Sequence, residues 1–236
     1  MKKSHIATLI VFLVLIPLTL IVGSRLSGRT FYVTSTLVIV ELLIPFFLAF
    51  EGRRPQAREL VVLAVMCALA VAGRVAIPIP SFKAIFGIIM IAGIAFGPES
   101  GFLVGAISAL ASNFFYSQGP YTPWQMMAYG AGGMLAGFVF AEGRLPRKPV
   151  VMGIFGFLAV AFFVGPLLDT CSVFLVMSRI TLKGAMAFYV SGFPVNLRQA
   201  VATAIVLLVL GKPLLEKLDR IKTKYGILDD EGWKEA

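Results

Sequence analysis

The chain has 236 residues, of which 58% are hydrophobic and 14% charged, with a formal net charge of +9 and a mean hydropathy of +0.91. No soluble domain of this size buries that much apolar surface, so the composition describes a polytopic membrane protein and excludes an ordinary soluble enzyme or nucleic-acid binder. The positive charge gathers between apolar runs, where Lys and Arg set topology, and gives no reason to expect nucleic acid.

The apolar periodicity predicts eight membrane helices, at about 5–22, 31–50, 58–78, 84–97, 99–116, 123–140, 150–178 and 185–211. The first could instead be a signal peptide, since Lys2 and Lys3 precede the apolar stretch. Lys2, Lys3, Arg53, Arg54, Arg58, Arg144, Arg147, Lys148 and the basic tail from Lys212 to Lys224 then share one side. The opposite side holds only Arg25, Arg29, Lys83, Arg179 and Lys183. The positive-inside rule therefore places both termini in the cytoplasm and the loops at 79–83, 117–122 and 179–184 outside. Three segments follow: two leading helices over 1–55, a six-helix core over 56–215, and a cytoplasmic tail over 216–236 read as a short amphipathic surface helix.

Along the third predicted helix, Ala64, Ala68, Ala72 and Ala76 recur every four residues. Small residues at that spacing make a flat face on which a second helix can approach closely, although alanines are also common inside membrane bundles. Gly93, Gly97, Gly101 and Gly105 form a second ladder that crosses a turn at Gly97 and Pro98, and Gly133 and Gly137 form a short third one. Tight helix packing accounts for both.

Glu41, Asp169 and Arg198 are charges inside apolar runs, a placement that is costly unless they pair or face a polar cavity. Asp169 and Arg198 fall at depths about 6 Å apart on consecutive antiparallel helices, so the depths allow an ion pair between them. Pro166 and Pro194 predict bends beside both charges. Arg74, one turn inside its helix, either snorkels outward or reaches into an outer pocket.

Residues 111–130 are the most informative stretch: an uncharged cassette rich in amides, rings and prolines that interrupts the apolar chain. Asn113, Gln118, Trp124, Gln125 and Tyr129 converge at one helix-loop-helix corner, with Pro120 and Pro123 stiffening the loop. Rings at a membrane interface need no ligand to explain them. Rings accompanied by several placed amides are the means by which a pocket holds a flat, amide-rich molecule.

The chain has one His, at position 5, and two Cys, Cys67 and Cys171, both inside apolar runs. That inventory offers no metal site, no disulfide framework and no nucleophile–base arrangement, so catalytic and metal-ligating residues and a resident cofactor are not expected. A self-contained secondary carrier would show an internal repeat and ion-coupling carboxylates, and no repeat is evident. There is also no phosphate-binding GxxxxGK[ST] loop. A substrate-capturing subunit driven by separate partners fits these features best.

Residues 58–215 resemble the substrate-specific S-component of energy-coupling factor (ECF) vitamin transporters. The likeness rests on the alanine ladder within Leu63–Ala76, the run from Ile91 to Ala106 followed by Ser112 to Phe115, and the cassette from Gln118 to Met126. The segments Gly192 to Asn196 and Gly211 to Leu215 add to it. The cassette is similar to the cobalamin-type branch. The resemblance implies an all-α fold, a six-helix core preceded by two extra N-terminal transmembrane helices, in the plasma membrane of a prokaryote. It implies a vitamin pocket near the external loops, with Asn113, Tyr116, Gln118, Trp124, Gln125 and Tyr129 as substrate-binding residues and Arg74, Lys83, Asn196 and Arg198 as secondary ones. Ala64, Ala68 and Ala72 would dock on a membrane scaffold subunit driven by two ATPase subunits. Cobalamin is the expected vitamin, with riboflavin or another heteroaromatic vitamin as the alternative.

Overall fold

A computed structural model describes residues 11–16, 18–19, 21, 30–52, 56–177 and 179–227. Among them the secondary structure is entirely helical. A π-helical turn at Val11–Leu15 is followed by α1 (Thr30–Gly52), α2 (Ala57–Val75), α3 (Ile85–Phe96), α4 (Pro98–Tyr116) and α5 (Thr122–Phe140). Two long helices close the chain, α6 (Pro149–Val176) and α7 (Leu182–Tyr225). Each contains a five-residue π-helical turn, Val160–Val164 in α6 and Leu207–Gly211 in α7. Half of the first predicted helix, at 5–22, lies outside the described residues.

α6 and α7 are long and apolar enough to cross a bilayer. By contrast, α3 has 12 residues, about 18 Å of helix, which falls short of the roughly 30 Å hydrocarbon layer. It is buried on every side. Its run of Ile, Met, Ala and Gly thus makes a central core helix, around which α2, α4, α5 and α7 pack.

The break between α3 and α4 follows from two adjacent residues. Gly97 adopts a positive φ of 89° that a side chain would resist, and Pro98 opens the next helix where its missing N–H costs nothing. The glycine ladders then act at backbone level. A Cβ on Gly101 would lie 2.5 Å from the Gly133 carbonyl oxygen, and one on Gly133 would lie 2.3 Å from the Gly101 carbonyl oxygen. A Cβ on Gly93 would come within 2.1 Å of Gly133 O. Glycine is therefore what lets α3, α4 and α5 meet backbone to backbone.

α7 does not end where the apolar run ends. It continues through Gly211 to Tyr225, because Leu215 and Leu218 bury themselves beneath the bundle. At this end Arg147 Nη2 donates to Ile94 O at 3.1 Å and Lys222 Nζ to Ala95 O at 2.8 Å. Both satisfy last-turn carbonyls of α3 that have no helical partner. Asp219 holds Arg147 at 3.3 Å. The opposite end carries the loops after α2, α4 and α6, and with them the cassette.

Candidate functional site

The cassette folds as the C-terminal turn of α4, a five-residue loop and the first two turns of α5. Its hub is Asn113, fully buried. Asn113 Oδ1 accepts a bond from Arg74 Nη1 at 2.9 Å, while Nδ2 donates to Gln125 Oε1 at 2.8 Å and to Thr122 Oγ1 at 3.1 Å. Thr122 Oγ1 donates to Gln118 Oε1 at 2.9 Å and accepts from the Gly119 amide at 3.2 Å. Gln118 Nε2 donates to Leu110 O. Buried polar groups are stable only when satisfied, and here one amide ties α2, α4, α5 and the intervening loop together.

Arg74 sits between two rings. Its guanidinium carbon lies 4.9 Å from the centroid of Tyr116 and 5.6 Å from that of Tyr129, and it also donates to Ser112 Oγ. Tyr116 is exposed and returns a bond from its hydroxyl to Arg74 O at 3.0 Å. Tyr129 is buried edge-on against Phe86 at 4.5 Å. Lys83 reaches over from the loop after α2, donating to Ile77 O and standing 6.0 Å from the Tyr116 ring. Gln199 Nε2 of α7 donates to Lys83 O at 2.7 Å and anchors that loop. Seven of the sequence-named residues, Arg74, Lys83, Asn113, Tyr116, Gln118, Gln125 and Tyr129, thus form one network at one end of the bundle.

The backbone here is strained. Ser117, the residue after α4, has φ 82° and ψ 145°, a region close to one that only glycine occupies readily. Its carbonyl accepts a bond from the Tyr121 hydroxyl at 2.8 Å, which holds the loop in that shape. Ser81, in the loop beside Lys83, also has a positive φ, of 58°. Both non-glycine outliers among the described residues therefore border the network.

A second polar group lies in the wall between α6 and α7. Asp169 Oδ2 accepts a bond from Asn196 Nδ2 at 2.7 Å, and the Thr170 and Tyr189 hydroxyls share a bond of 2.8 Å. Asp169 pairs with an amide here, which replaces the ion pair with Arg198 expected from depth alone. Arg198 is exposed, and its Nε donates to Pro194 O one turn back on its own helix. Two residues make the difference: position 198 lies about 200° around the helix from position 196. Glycine opens the space for the pair. A Cβ at Gly192 would strike Asp169 Oδ1 at 2.1 Å, and one at Gly165 would strike Asn196 Cγ at 2.4 Å. Asp169, Thr170 and Tyr189 were not among the sequence-based site residues. The spacings Gly165 to Asp169 and Gly192 to Asn196, one turn each, were the available signal.

Trp124 stands apart from the Asn113 network. It is buried against Ile39 of α1 and Cys171 of α6 and stacks on Phe174 with centroids 5.5 Å apart. Its indole Nε1 is buried with no hydrogen-bond partner among the described residues. Among the described residues no three His, Cys, Asp or Glu side chains converge as metal ligands. The alanine ladder of α2 points away from the bundle: Ala64, Ala68 and Ala72 are exposed while Leu63, Met66, Cys67 and Ala70 face the core.

A family model described as the S component of the ECF-type riboflavin transporter matches residues 55–216. The chain belongs to this family. No curated protein and no solved structure matches it. The S-component is a membrane-embedded, substrate-binding transport subunit that works with ECF scaffold and ATPase modules. This agrees with the sequence-based resemblance at the level of the S-component. The cobalamin-type branch is not part of the match, since the description names riboflavin. The matched segment begins just before α2, so α1 lies outside it.

Proposed function

We propose that this S-component captures a flavin, riboflavin or a close relative, at the cassette end of the bundle, and that this end faces outside. The observation that carries the reading is the presence of two polar groups, the Asn113 network and the Asp169–Asn196 pair, in a chain whose family is described as a riboflavin transporter component. The isoalloxazine ring is flat, with an imide edge that offers one N–H donor between two carbonyl acceptors, and its ribityl chain adds hydroxyls. Gln118 and Gln125 supply amide groups, Asp169 and Asn196 supply a carboxylate beside an amide, and Tyr116, Thr170 and Tyr189 supply hydroxyls. Tyr116 also presents an exposed ring face for stacking. Basic residues at the opposite end, from Arg144 to Lys148 and along the start of the tail, support a cytoplasmic placement of that end and of both termini.

The same reading assigns the exposed Ala64, Ala68 and Ala72 to docking on the scaffold subunit, because a face without bulky side chains admits a close helix–helix approach. The six-helix core and the preceding helices divide on this reading near residue 55, where the family match begins.

The deciding experiment is the visible absorption spectrum of the detergent-purified protein after incubation with riboflavin and, separately, with cobalamin. A retained yellow chromophore titrated away by Asp169→Ala or Gln125→Ala is the expected result. A retained red corrinoid would keep the S-component and reverse the choice of vitamin. Retention of neither by folded protein would refute the vitamin assignment.

A further inference from the structure

α1, the helix outside the family-matched segment, carries a stripe that the transport reading leaves unused. Thr36, Ile39, Leu43 and Phe47 recur at spacings of three and four, one face of a helix. Ile39 is 7% and Leu43 6% exposed, whereas Val33, Leu37, Val40 and Ile44 on the other side are 38–49% exposed. The stripe lies in the trough formed by α4, α5 and α6. Leu43 packs on Phe102 and Ala106, with Phe47, Met126 and Met134 around it. Ile39 packs on Trp124 and Cys171, with Tyr121, Met127 and Phe174 around it. At the top, Thr36 Oγ1 makes a long contact of 3.4 Å with Pro120 O, in the cassette loop itself.

α1 therefore touches the cassette at its loop and at its one indole. The Trp124 ring is clamped between Phe174 on α6 and Ile39 on α1. Its N–H is buried with no acceptor among the described residues, a costly arrangement that the packing around the ring imposes. Without Ile39 the ring would be free to turn its N–H toward water, and the first turn of α5, which carries Gln125, would lose its lateral support.

We propose that α1 is a positioning wall of the substrate site, with Ile39 as the residue that sets Trp124, and through it the start of α5, in the ligand-binding arrangement. This rests on the reading of the cassette end as the vitamin site. Ile39 acts through Trp124 and the helix it begins, so it is a positioning residue that need not touch substrate.

The test uses the full chain with Trp233→Phe, which leaves Trp124 as the one tryptophan of the two in the sequence. Ile39→Ala is compared with Ile39→Val and with Leu43→Ala, a similar truncation on the same helix face one turn farther from Trp124 and outside its cluster. Three quantities are read: Trp124 emission and acrylamide quenching without ligand, thermal stability, and riboflavin affinity from quenching of flavin fluorescence. The expected result for Ile39→Ala is a red-shifted, more quenchable Trp124 and a dissociation constant raised about tenfold. Ile39→Val should restore both, and Leu43→Ala should lower stability while leaving affinity within about twofold. Equal affinity losses in Ile39→Ala and Leu43→Ala would overturn the proposal, since the effect would then be general destabilisation. A shifted Trp124 signal with unchanged affinity would overturn it too. If the unsubstituted protein is folded and binds no riboflavin, the flavin reading of the site fails first and the proposal falls with it.

Discussion

Replacing Asn113 with Leu tests whether the cassette is organised by one buried amide. The two side chains are similar in size, so the change removes hydrogen bonds with little change in volume. Asn113 is fully buried and makes three side-chain bonds. The bond from the Arg74 guanidinium is charge-assisted and contributes roughly 1.5–3 kcal/mol, the two neutral ones about 1 kcal/mol each. Not all of that is lost. Gln125 is half-buried and can turn to water, and buried Thr122 keeps Gln118 as its acceptor. Arg74 keeps Ser112 and its two rings. The net destabilisation should then be about 2–4 kcal/mol, most of it from the guanidinium and from the apolar side chain set against it. The assay is reversible unfolding of the detergent-purified protein, run as a double-mutant cycle with Arg74→Met. A coupling of about 1.5–3 kcal/mol between the two positions is expected. A loss below about 0.5 kcal/mol in Asn113→Leu, or no coupling with Arg74, would refute the hub.

Three shorter predictions follow from single positions. Ser117→Gly should raise stability by about 1 kcal/mol, because φ 82° and ψ 145° suit glycine; a lower unfolding midpoint would contradict the strain. Gly133→Ala puts a methyl 2.3 Å from Gly101 O, so α4 and α5 must separate, at a cost of about 1–3 kcal/mol; wild-type stability would mean that the backbones do not meet there. Ala68→Leu, on the exposed face of α2, should leave vitamin binding by the isolated subunit unchanged and abolish uptake with the scaffold and ATPase subunits. Normal uptake by this variant would remove the docking assignment.

The helices were legible because their signals are redundant. Gly97 followed by Pro98 marks the α3–α4 break, Pro123 lies in the first turn of α5, and apolar runs fill what lies between. The cassette was legible for the complementary reason: amides without charge are rare in an apolar chain, and Asn113, Gln118 and Gln125 do meet in one network. What escaped was direction around the helix. Depth along the bundle made Arg198 a candidate for Asp169, but depth carries no information on azimuth, and Asn196 occupies the facing position. Trp124 escaped in the same way. Its place in the cassette suggested the same network as Gln125, yet adjacent helical positions diverge by about 100°, and the ring lies between α1 and α6. Thr122 was overlooked because a threonine opening a helix is ordinary, and only its burial reveals that it joins Asn113 to Gln118.

The two polar groups at the cassette end stand on supports of different stiffness. The Asn113 network rises from α4 and α5, which with α3 are packed at glycine contacts too close to slide. The Asp169–Asn196 pair belongs to α6 and α7, each interrupted by a π-helical turn and each holding a proline beside its polar residue, Pro166 and Pro194. Such interruptions loosen the helical ladder locally and are where helices bend. On the proposed reading, a subunit that captures a vitamin on one side and must later give it up needs one wall that stays and one that yields, and the two supports would supply those parts. Amide hydrogen exchange makes the division measurable. Protection in the ligand-free protein should be highest across Ile88–Phe96 and Gly101–Ala109 and lower on both sides of Val160–Val164 and Leu207–Gly211. Uniform protection across all of these stretches would mean that α6 and α7 are as rigid as the glycine-packed centre, and release would then have to come from movement of the loops alone.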